Sequence, residues 1–136
     1  MRHVLIATAA TAAFVAAGAL VPTSAIAQQP ETTPVLKTEL QGEEGREANI
    51  VRFQVPAGWE TERHIHPGHV FVYVTDGAIE IDVEGEAPQT VSAGEAIYEL
   101  PNKPMVGRTA SADEGASFIV FQVGPAGEPL MVAQPK

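Results

Sequence analysis

The chain has 136 residues, a formal net charge of −9 and no cysteine. The acidity argues against nucleic acid and anionic membrane surfaces as partners. Disulfides and thiolate ligands are excluded, so stability must come from an apolar core or oligomerisation, and only histidines and carboxylates remain as strong metal ligands.

The first element is a targeting segment. Arg2 and His3 give a short positive start, residues 4–21 carry no charge, and Ala25-Ile26-Ala27 is the small-x-small pattern of a signal-peptidase site. This predicts a signal peptide over residues 1–27 and a secreted or periplasmic protein; the alternative is an uncleaved anchor, because the apolar run is nearly long enough to span. The remaining chain suffices for one domain with one core. Residues 28–34 are polar and proline-rich and read as a flexible leader, so residues 28–45 hold that leader and a first strand, and 46–136 the domain proper.

From there the pattern is almost entirely strand. Residues 49–55 alternate, with the parity of Ile50 and Val51 unclear. Val70 to Val74 form an apolar run ended by Asp76-Gly77. Residues 79–84 alternate without error, Ile79, Ile81 and Val83 against Glu80, Asp82 and Glu84, as in a half-buried antiparallel strand. Residues 95–100 and 117–123 are further short strands. Gly/Pro-containing turns punctuate them, and no helical period or repeat occurs in the mature chain. Many short strands at this spacing predict an all-β sandwich or barrel.

Three of the four histidines lie in one stretch, His64-Ile65-His66-Pro67-Gly68-His69, just before the apolar strand. His64 and His66 occupy alternate strand positions and so point to one face. Neutral imidazole is the commonest metal ligand.

These residues resemble the cupin superfamily of small antiparallel β-barrels. In the first cupin motif, G-x5-H-x-H-x3,4-E-x6-G, Gly58, His64, His66 and Gly77 fall in register. In the second, G-x5-P-x-G-x2-H-x3-N, Gly94 is in place and Asn102 stands at the middle glycine, a substitution that a left-handed backbone tolerates. The resemblance covers about residues 48–124. It implies a double-stranded β-helix (jelly-roll) fold, a homodimer, and a metal site of three histidines and a glutamate. Two of those ligands are His64 and His66. Val70 stands where the glutamate belongs, Met105 where the third histidine does, Leu100 for the proline and Thr109 for the asparagine.

Against this frame, His64 and His66 are read as ligands, the alternative being a structural pair. His69 is a further candidate, but its parity is opposite to that of position 70, which turns it to the rim or outside unless a bulge re-aims it. Glu99 is either a surface carboxylate or the third ligand of a two-His-one-carboxylate set, the arrangement associated with non-haem iron. Met105 is core filler or, as a soft thioether, a copper(I) ligand. Phe71, Tyr73 and Tyr98 line a pocket or simply build the barrel wall, and Trp59, just before the histidine strand, is a lid or a rim anchor.

Two functions follow. One is an exported, metal-dependent enzyme on a small organic molecule, such as a dioxygenase, isomerase or lyase, using iron, zinc, manganese, nickel or copper. The other is a non-catalytic module that binds a small molecule at a degenerate metal site. Neither involves nucleic acid, or a membrane once the signal is removed.

Overall fold

The computed structural model describes residues 29–135, so the signal peptide expected at 1–27 lies outside the described residues. Ten strands follow one another: β1 (Glu31–Glu39), β2 (Arg46–Val55), β3 (His64–Ile65), β4 (His69–Asp76), β5 (Ala78–Val83), β6 (Gln89–Ser92), β7 (Ala96–Glu99), β8 (Met105–Thr109), β9 (Ala116–Pro125) and β10 (Val132–Ala133). They form two five-stranded sheets, ordered β1-β2-β9-β4-β7 and β10-β3-β8-β5-β6. Every pairing is antiparallel. The expected all-β, jelly-roll class is what the chain adopts.

The ladders do not close into one continuous barrel. At one edge, the long β1 would have to meet β10, which has two residues and pairs only with β3. At the other edge the chain crosses between sheets at a corner instead. There the Ala93 N–H donates to the Gly77 carbonyl and the Gly94 N–H to the Val74 carbonyl.

The core lies between the sheets. Phe53, Val72, Val74, Phe118 and Val120 come from one sheet, and Ile79, Ile81, Val91 and Met105 from the other. Val70, Val74 and Ile79 are fully buried, each contributing about 1.5–3 kcal/mol of transfer free energy. The period-2 reading of residues 79–84 holds: Ile79 and Ile81 are buried, while Glu80 and Asp82 on the outer face bind Arg108 of β8. The structure also settles the parity of β2. Val51 packs on the core and Ile50 faces out, opposite Leu36 and Phe121.

One expectation is corrected. Residues 31–34, read as part of a flexible leader, begin β1 and pair with Val51 to Gln54. Pro34 is accommodated because β1 is an edge strand, where a missing N–H costs little, and the register shifts just after it. Asn102 has φ 57°, the left-handed conformation expected where the cupin motif has glycine. Gly68 is required by close approach: a Cβ there would lie 2.6 Å from the Val123 carbonyl oxygen. It lets the loop after His66 cross tightly over β9.

Candidate functional site

Two short backbone segments position the histidines. β3 is held on one side by β8, with His64 opposite Met105, and on the other by β10, with His64 opposite Ala133. Strand alternation then sends His64 and His66 inward together, at 6 % and 4 % exposure, with Ile65 turned outward. Their rings meet edge to face, 4.9 Å between centroids.

Each ring is fixed by a backbone carbonyl. His64 Nδ1 lies 2.8 Å from the Glu62 oxygen, and His66 Nδ1 lies 2.6 Å from the Leu130 oxygen. A carbonyl can only accept, so both Nδ1 atoms carry the proton and donate. In the neutral rings this leaves both Nε2 lone pairs free, the arrangement that outer hydrogen bonds impose on metal-ligating histidines. Burial pushes the His64 pKa below its usual 6.5, and neighbouring His66 adds to this; the Glu62 carbonyl bond and Glu99 oppose it. His64 is therefore held as a neutral base.

Glu99 ends β7 and points inward, 4 % exposed. It stands directly opposite Val70 across the β4–β7 ladder. Val70 is the position at which the cupin motif carries its glutamate, so the carboxylate sits one strand over on the same face, its Cβ about 5 Å away by ordinary sheet geometry. Its Oε2 is 3.2 Å from His66 Nε2. Two lone pairs do not face each other at that distance without a cation between them, either a proton or a metal ion.

His69 does not join this group. It lies on the other face of β4, where Nδ1 is 2.5 Å from the Tyr98 hydroxyl and the two rings stack. Strand parity prevails and no bulge re-aims it. Met105, 2 % exposed, belongs to the core cluster beside His64. Thr109, in the motif's asparagine position, is also buried, and its backbone N–H donates to the Trp59 carbonyl. Among the described residues, no three His, Asp or Glu side chains are gathered closely enough to hold a metal ion as they stand.

The sequence reading missed the C-terminal segment. Leu130 supplies the carbonyl that orients His66, and the adjacent Pro129 carbonyl accepts from Gln122 Nε2 at 3.4 Å. Gln122 is 3 % exposed and its Oε1 has no partner among the described residues. Nothing in the pattern of residues 128–134 marks them as part of a site, since their partners lie far away in sequence.

The cupin domain model matches residues 51–121. The chain belongs to the cupin domain family. No curated protein matches it. Among solved structures, a Klebsiella pneumoniae protein with a double-stranded β-helix domain aligns with a TM-score of 0.62 at 20 % identity, covering 79 % of this chain and 81 % of its own. A cupin-like protein of Thermotoga maritima aligns at 0.60 and 20 % identity, covering 79 % and 77 %. The DMSP lyase DddQ of Ruegeria pomeroyi aligns at 0.57 and 23 % identity, covering 64 % of this chain but only 43 % of that enzyme. These likenesses establish the fold.

Proposed function

We propose that this cupin domain binds one divalent transition metal through His64, His66 and Glu99, and holds a small organic molecule beside it. The observation that carries this is the pairing of His66 Nε2 with Glu99 Oε2 at 3.2 Å, while both Nδ1 atoms are tied to carbonyls. Two donors each about 2.1 Å from one ion lie about 3.0–3.4 Å apart at ordinary coordination angles. The donor set, two neutral imidazoles and one carboxylate, suits iron, zinc, manganese or nickel better than copper(I). His64, its Nδ1 tied to the Glu62 carbonyl, would supply the third donor, and the ion itself would have to draw the three groups together. The adjoining cavity of about 40 Å³ has room for an ion and its water and for little more. A bound ion would act as a Lewis acid or an oxygen-binding centre. The chain's own part is to orient two neutral imidazoles, to balance charge with Glu99 and to exclude bulk water.

Elemental analysis of the purified protein, followed by His64→Ala and His66→Ala, tests this. About one metal ion per chain, lost in both variants, is expected. A metal-free protein that cannot be loaded, or histidine variants that keep full metal, would overturn it.

Val70 and Met105 in two of the four motif positions favour a second reading, a ligand-binding module without chemistry. It predicts that the metal-loaded protein still binds a small molecule and turns nothing over. We further place the mature protein outside the cytoplasm, beginning near Gln28, on the Ala25-Ile26-Ala27 site, and infer a homodimer. The support for the dimer is the outer face of the first sheet. Leu36, Ile50, Phe121, Phe71 and Tyr98 line up in register across all five strands, and Leu36, Phe71 and Tyr98 are 45–49 % exposed. A continuous apolar row of this kind is an interaction surface.

A further inference from the structure

The space around the histidines has two parts of very different size. The inner cavity, against His66, Glu99 and Met105, measures about 40 Å³. Between the start of β1 and the C-terminal segment lies a vestibule of about 390 Å³, whose walls include Thr32, Phe53, Trp59, Glu62, Met131 and Ala133. Phe53, Trp59, Thr61, His64 and Met131 line both, so the vestibule opens onto the histidine end.

Size decides where an organic molecule can sit. An engineered apolar cavity that takes up benzene measures about 150 Å³. The inner space is far below this, while the vestibule falls within the range of about 300–1,000 Å³ typical of small-molecule sites. Charge decides what it can be. Among the described residues, the vestibule is lined by no lysine or arginine, and its one ordinary charge is the Glu62 carboxylate. An anion entering would leave water without a counter-cation, inside a chain of net charge −9. Apart from the Thr32 and Thr61 hydroxyls and the His64 ring, the remaining walls are apolar and aromatic: Phe53 stacks on Phe118 at 5.1 Å, and Trp59 tilts against the same ring at 5.8 Å.

We propose that the vestibule binds an uncharged, largely apolar molecule about the size of one aromatic ring, with its single polar end toward His64. Only the direction of that polar end rests on the metal reading above. The size and charge preference rest on the vestibule itself.

Trp59 is the only tryptophan and therefore reports occupancy directly. The experiment uses the full metal-free protein and two quenchers of equal size, 4-nitrobenzyl alcohol and 4-nitrobenzoate. The alcohol should quench Trp59 saturably, and the carboxylate should bind at least about tenfold more weakly. Glu62→Gln should narrow that gap. Met131→Lys, at a position 39 % exposed and so tolerant of a long polar side chain, should reverse it. Equal or tighter binding of the carboxylate to the unmodified protein would overturn the proposal, as would purely linear quenching by both probes. Metal content is measured separately. A protein that takes no metal yet selects the alcohol removes the metal reading and keeps this one.

Discussion

His66 Nδ1 donates to the carbonyl of Leu130, 2.6 Å away and 64 residues further along the chain. The bond joins the first cupin motif to the segment at 128–134, and that segment also pairs Val132 with Ile65 and donates from the Gln134 N–H to the Arg63 carbonyl. The C-terminal strap is therefore part of the site, because it sets the ring that faces Glu99.

Removing the strap should uncouple that ring. A chain ending at Gly127 is expected to bind metal about 10–100-fold more weakly, the usual loss when a ligand's supporting partner is removed. Leu130→Ala separates structure from support. It keeps the carbonyl and trims a side chain packed on the core, so it should lower thermal stability, by about 1–2 kcal/mol for a half-buried leucine, with metal affinity nearly intact. If Leu130→Ala loses metal as badly as the truncation, the carbonyl is not what matters. Isothermal titration beside thermal melts reads both effects.

Much of this site is legible in the residues. The fold follows from period-2 alternation and glycine spacing, and the inward pair from H-x-H. His69 is turned away by parity alone. Glu99 is harder, because β7 inverts the usual pattern: Tyr98 and Leu100 are exposed at 46 % and 47 %, and the glutamate between them is buried. A reading that sends aromatic residues inward puts Glu99 on the surface. The register Val70 opposite Glu99 corrects this, and register between strands separated by a long connection is not written in local sequence. The strap is invisible for a related reason. Its two-residue strand has no periodicity, and its bonds are made by backbone carbonyls and N–H groups, which carry no sequence signature.

Glu99 and Met105 can be told apart by substitution. Glu99→Gln removes the charge that faces His66 and should weaken metal binding by about one to two orders of magnitude. Met105→Ala hollows the core beside His64 and should destabilise by about 2–5 kcal/mol while metal affinity changes little. Metal titration and urea unfolding of both variants supply the comparison. The reverse pattern, metal lost with Met105 and kept without the Glu99 charge, would mean a soft site and copper(I).

Acid should weaken the metal-free protein through His64. Its pKa lies below 6.5 when folded, chiefly from burial, and returns to 6.5 when unfolded. Between those two values the unfolded chain binds more protons, so stability rises with pH across that window. The contribution of His64 is thus complete above pH 6.5, is lost as pH falls toward the folded value, and levels off below it. The urea midpoint between pH 7.5 and 5 should trace this, and His64→Gln should flatten the curve. An unchanged slope in that variant would remove His64 from the account. Metal should leave over the same range, since a ligating imidazole must be neutral.

The last prediction concerns the outer face of the first sheet. Phe71 lies between Phe121 and Tyr98 in register, stacking on Tyr98 at 5.0 Å and tilting against Phe121 at 6.2 Å, yet it is 45 % exposed. A partner copy covering this row would bury what the monomer leaves wet. Phe71→Glu puts a charge at its centre, and in a two-fold dimer each such change is felt from both sides. Light scattering coupled to size exclusion should show a dimer for the unmodified mature protein and a monomer for Phe71→Glu. Metal content should be unchanged, because Phe71 points away from Val70 and Glu99. His69→Ala, which removes the Tyr98 hydrogen bond on the same face, should loosen the dimer less and also leave the metal in place. A Phe71→Glu protein that stays dimeric would place the interface elsewhere, with the exposed edge of β1 the next surface to test.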